Sequence, residues 1–189
     1  MIAALAAAAV FTFWVEPCAP ERHACDKQDA DFAIWALDAW SRASGGALRF
    51  QPSSEDQALI RFRWATAREG LYGEAIPITV NGRQGAEIRL RTDLRHLGKD
   101  FVELGRTNRW FRETIVYLTC LHESGHAIGM PHTNQFADIM YSFQYGGDIR
   151  EYFLRYQRVL KSRDDIRSNS GISPADERRL RTLFSPQPQ

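Results

Sequence analysis

The chain has 189 residues, 44% of them hydrophobic and 25% charged, with a formal net charge of +1. That is long enough for one domain, or one domain with a short extension, around a substantial core. A charge this close to zero excludes the electrostatic signature of a nucleic-acid or anionic-membrane binder, so neither partner is expected.

The segment Met1 to Val15 is largely apolar but too short to span a bilayer. Residues 1–9 read as the tail of a secretory leader, with small residues at Ala7 and Ala9, although no basic stretch precedes them. On that reading the folded domain is 10–189 and the protein is secreted or periplasmic; the alternative is that the segment belongs to the fold. Cys18 and Cys25 flank a short Pro-containing loop and suit a small disulfide in an oxidising compartment.

Val10 to Pro17 sets Phe11, Phe13 and Val15 against Thr12 and Trp14, which predicts the first strand. Asp29 to Ser44 places Phe32, Trp35, Ala36, Ala39, Trp40 and Ala43 at helical spacing, a core stripe ended by Gly45-Gly46. Leu48 and Phe50 alternate in a second strand that stops at Pro52. Ala58, Ile60, Phe62 and Trp64 share a face of the third, with Arg61 and Arg63 on the other. Gly73 to Arg91 predicts two strands joined over Asn81-Gly82, and Pro77 demotes the first of them to a sheet edge.

Thr107 or Asn108 caps the next helix, which runs to about Ile128. Within it Cys120 reads as a small buried apolar residue. The stretch that follows, His122 to His132, reads HESGHAIGMPH and holds three of the five histidines in the chain. His122 and His126, at i and i+4, share one helix face, so two imidazoles can grip one metal ion. Gly129 can take the left-handed conformation that ends the helix, bringing His132 back as a third nitrogen. Three protein ligands with an open fourth position describe a catalytic zinc site, with Glu123 beside the ion as its base. A helix with histidines on a merely polar face explains the short H-E-x-x-H pattern equally well, but not the added glycine and third histidine.

His122-Glu123-x-x-His126-x-x-Gly129-x-x-His132 resembles the signature of the metzincin metallopeptidases. Ala137-Asp138-Ile139-Met140-Tyr141 sits where that clan has its methionine turn, and the tyrosine after Met140 is similar to the matrixin branch. The resemblance implies an α+β, zincin-like fold: a twisted mixed sheet of about five strands with an antiparallel edge strand, an N-terminal helix, an active-site helix and a C-terminal helix. It implies a zinc endopeptidase acting on peptide or protein substrates, with one catalytic Zn²⁺ on His122, His126 and His132. Glu123 would serve as general base, Met140 would lie as an apolar floor beneath the histidines, and the edge strand Gly73 to Thr79 would pair with substrate.

The resemblance also has gaps. The pro-segment with its zinc-blocking cysteine and the loop that binds structural zinc and calcium are absent, so a calcium requirement stays open. His23 and His96 are isolated and read as ordinary surface or loop histidines. A gluzincin would take a glutamate as third ligand, for which Glu151 is the only nearby candidate. A zinc-stabilised protein-binding module without turnover is the alternative to an enzyme, and a zinc hydrolase of other bonds a third.

Beyond the methionine turn the chain is longer than matrixins typically are. Asp148 and Glu151 have capping-box spacing, and Ile149, Tyr152, Phe153, Tyr156, Val159 and Leu160 fall on one face. An inserted amphipathic helix near 148–163 is therefore expected, either packed on the core or shaping specificity. Ser173-Pro174-Ala175-Asp176 opens a last helix, with Leu180, Leu183 and Phe184 as its packing stripe.

Overall fold

The computed structural model describes residues 8–65 and 72–185. Its alternating apolar stretches form one five-stranded sheet, β1 (Ala9–Val15), β2 (Leu48–Pro52), β3 (Ile60–Trp64), β4 (Gly73–Val80) and β5 (Arg83–Leu90), in the order β2-β1-β3-β5-β4. β1 runs parallel to β2 and β3, and β3 parallel to β5, while β4 is antiparallel to β5. Asn81 and Gly82 both take positive φ, 50° and 76°, as a two-residue hairpin turn requires. β4 is thus the expected edge strand, and Pro77, lacking an N–H, lies in it opposite Ala86.

The period-two pattern of β3 is realised: Ile60, Phe62 and Trp64 are buried. Arg63 turns to the opposite face, where it meets Glu87 at 2.9 Å and lies over the Trp14 ring. Ala58 is buried too, but precedes the strand. The predicted leader, 1–9, lies outside the described residues as far as residue 7, and Ala9 opens β1 opposite Leu48.

Two helices, α1 (Asp29–Ala43) and α3 (Arg109–Ala127), pack with the sheet around the core. Phe32, Trp35, Ala36, Ala39 and Trp40 are the buried stripe of α1. The helices are also pinned by polar contacts. Trp40 Nε1 donates to the Leu121 carbonyl at 3.0 Å, and Arg112 grips the buried Asp29 through two bonds of 2.9 and 2.6 Å. A paired guanidinium offsets the desolvation of that carboxylate, which would otherwise be costly to bury.

A further helix, α2 (Lys99–Thr107), leads directly into α3 and was not expected from the sequence. Asn108 breaks between them in extended geometry, and its side chain accepts from the Trp110 amide at 3.2 Å. Asn108, not Thr107, is therefore the cap of α3; the Thr107 hydroxyl donates back to Glu103 within α2.

A helix forms where one near 148–163 is expected, but it is shorter. It is α4 (Ile149–Gln157), started by the Asp148 carboxylate, which accepts from the amides of Arg150 and Glu151. Glu151 does not complete the box and pairs with Arg158 instead. The helix cannot run on because the Asp165 carboxylate captures the Lys161 and Ser162 amides ahead of a short α5 (Asp165–Ser168). Val159 consequently points outward, 52% exposed, while Leu160 stays buried.

In α6 (Pro174–Leu183) the Ser173 hydroxyl accepts from the Asp176 amide as an N-cap. Leu180 is buried and Phe184 packs edge-on against Phe11, but Leu183 is 47% exposed and outside the packing stripe. Cys18 and Cys25 form a disulfide, and Cys120 is a buried free thiol as expected.

Candidate metal centre

The inner end of α3 carries the site. Gly129 takes φ 93° and its amide donates to the His126 carbonyl, while the Met130 amide donates to Gly125. This closes the helix and turns the chain, as a glycine in the left-handed region permits. The turn brings His132 against its partners: the Nε2 atoms of His122, His126 and His132 lie 3.0 to 3.2 Å from one another.

The ring orientations are fixed from behind. His122 Nδ1 donates to the Ile139 carbonyl at 2.7 Å, and His126 Nδ1 donates to the Met130 carbonyl at 2.9 Å. A carbonyl only accepts, so the proton sits on Nδ1 and the Nε2 lone pair points into the cluster. Lone pairs converging from His122 and His126, with His132 facing them, repel one another unless a cation lies between them. The set fits zinc, which favours imidazole nitrogen, and these three are the only group among the described residues placed to hold a metal.

Electrostatics point the same way. Burial pushes His122 down to about 4, the other two histidines add to this, and the Ile139 carbonyl opposes it. Burial also lowers His126 and His132. All three are thus neutral at physiological pH and available as ligands. Glu123 moves oppositely: burial first, then the charge of Glu74, raises it to about 7, against the pull of the Ala75 amide. A carboxyl poised near neutrality is suited to take and return protons.

Two glycines to which the sequence assigns no role of their own make the site close-packed. A Cβ on Gly73 would come within 2.5 Å of Thr119 Cγ2 and 2.9 Å of Glu123 Oε1, so only glycine lets β4 approach Glu123. A Cβ on Gly125 would fall 2.4 Å from Met140 Sδ. Met140 is fully buried against α3 at that point, consistent with a floor under the two helical histidines. Neither glycine has a turn signal around it; only the close approach of distant elements explains it.

The methionine turn is tied down from several directions. The Thr133 amide donates to the Met140 carbonyl, fixing the chain just after His132. Asp138, itself buried, accepts from the Thr133 and Ser173 hydroxyls and pairs with Arg179. The buried Asp176 of α6 accepts from the Ile139 amide at 2.7 Å. Tyr152 of α4 donates to the carbonyls of Asp138 and Ile139 at 3.0 and 3.2 Å.

Above the histidines lies a cleft of about 620 Å³. β4 lines one side through Gly73, Glu74 and Ala75, and α4 the other through Ile149, Tyr152 and Phe153. Glu151 is turned to Arg158, outside the histidine cluster, which removes the arrangement with a glutamate as third ligand. His96 stands beside Asp93 with its ring tilted against Tyr72, and His23 faces Glu16; neither joins the cluster.

The matrixin family model matches residues 10–156, most of the chain. A search of the curated proteins finds no match.

Proposed function

The chain belongs to the matrixin family and is a metalloendopeptidase, and from that premise we propose how its own residues carry out peptide-bond hydrolysis. His122, His126 and His132 hold one Zn²⁺ as neutral imidazoles. Once held, the ion supplies Lewis acidity toward the scissile carbonyl and makes water a nucleophile at neutral pH.

Glu123 takes the proton of the attacking water on its carboxylate and passes it to the departing amine. Its burial and its place under the Gly73–Ala75 segment support that role. Substrate lies extended along β4, whose outer edge bonds to no other strand among the described residues, and adds to the sheet through its backbone. The apolar side of the cleft formed by α4 receives a side chain next to the cut bond. Gly129 turns the chain to present His132, and Met140 supports the histidines without binding the ion. The Cys18–Cys25 disulfide supports an oxidising compartment outside the cytoplasm. No described helix is long and apolar enough to cross a membrane.

The observation that carries this reading is the convergence of three Nε2 atoms beside a buried carboxyl at the edge strand. Metal-stripped protein should leave an unfolded protein substrate intact, and stoichiometric zinc should restore cleavage, with cut sites reporting the pocket. Equal cleavage with and without metal would refute it.

A further inference from the structure

Tyr152 stands between two cavities. It lines the cleft above the histidines and also a second space of about 190 Å³ behind the methionine turn. Edge contacts with Phe136, Phe143 and Phe153, Tyr141 stacked on the ring and Arg155 over its face hold it in place. Burial keeps its hydroxyl protonated and therefore a donor.

That hydroxyl shares its one proton between the Asp138 carbonyl at 3.0 Å and the Ile139 carbonyl at 3.2 Å, and the latter is the same oxygen that accepts from His122 Nδ1. One carbonyl has two lone pairs and serves both donors. The preceding peptide, Asp138–Ile139, is held from both sides, Tyr152 donating to its carbonyl and Asp176 accepting from its N–H. The oxygen that orients His122 is thus itself oriented by α4.

We propose that Tyr152 is a positioning residue of the metal centre: its hydroxyl fixes the Ile139 carbonyl, and through it the ring of His122. The proposal rests on the reading of the histidines as zinc ligands. Such outer partners of metal-bound histidines are worth about 10–100-fold in metal affinity.

The test compares Tyr152→Phe with Tyr156→Phe, using zinc competition against a chelator and the visible spectrum of the cobalt-loaded protein. Tyr156 lies on the same helix and its hydroxyl also donates to a backbone carbonyl, that of Asn169, with no link to a histidine. Tyr152→Phe should weaken zinc binding about 10–100-fold and alter the cobalt bands, while Tyr156→Phe should stay within about twofold of wild type. An unchanged affinity and spectrum in Tyr152→Phe would overturn the proposal, and so would an equal loss in both variants, which would mean only that α4 had loosened. A wild type that takes up no zinc would instead bring down the reading of the site itself.

Discussion

The helix that offers the histidines and the wall that faces it are built on different scales. Around Gly125–Met130 the shaping bonds are local: Met130 donates to Gly125, Gly129 to His126, and His126 to Met130. The wall from Asp138 to Tyr141 is held from far along the chain, by Ser173, Asp176 and Arg179 at separations of 35, 37 and 41 residues. The difference teaches that ligands are placed by helix periodicity and one turn, whereas their rigidity is imposed by tertiary polar contacts. His122 joins the two, since its Nδ1 partner belongs to the wall.

The comparison breaks most visibly at Asp176. Replacing it by Ala leaves the buried Ile139 N–H without its acceptor, and should cost about 2–3 kcal/mol of stability in urea unfolding. The metal-free histidine helix should keep its helical signal at temperatures where the wall has loosened. A cost near zero would mean the long-range bonds are not what holds the wall.

A second test uses the opposed titrations of the helix. His122 is lowered to about 4, so between there and 6.5 the unfolded chain binds a proton that the native metal-free protein does not, and stability rises with pH. Glu123 is raised to about 7 from 4.5, so over that span the native state holds the extra proton and stability falls with pH. Where the two windows overlap they offset one another. Metal-free Glu123→Gln removes the second, and its stability should climb by about 2 kcal/mol from pH 4.5 to 6.5, more steeply than wild type. Parallel profiles in the two proteins would contradict the electrostatics described above.

The smallest expected effect is at Gly125, where helix and wall touch. Gly125→Ala gains helix propensity but drives a methyl into Met140 Sδ and toward Trp40, and a net loss of about 1 kcal/mol is expected in thermal unfolding. A gain would show that Met140 moves aside freely and that the contact is loose.

The sequence carried the local half of this arrangement well. Spacing alone marked His122, His126, Gly129 and His132, and the alternation of β3 and the Asn81-Gly82 turn marked the sheet and its edge. What it missed depends on partners remote in the chain. Asp176 read as an acidic first turn, yet its carboxylate reaches the methionine turn. Gly73 stood at a strand start with no visible need for glycine until Glu123 was seen against it. The helical periodicity continues through Leu160, whereas α4 ends at Gln157 and the Asp165 side chain takes the Lys161 and Ser162 amides beyond it. α2 leaves little apolar periodicity in the sequence, because only Phe101 is buried in it.

The most direct test of the account compares zinc-loaded wild type with Glu123→Ala at matched zinc content on a mixture of unfolded proteins. The account predicts cleavage by the wild type, zinc retained in the variant, and turnover reduced by at least about 10²-fold, as expected for loss of a general base. Equal turnover in both proteins, or loss of zinc along with the carboxylate, would contradict the role given to Glu123.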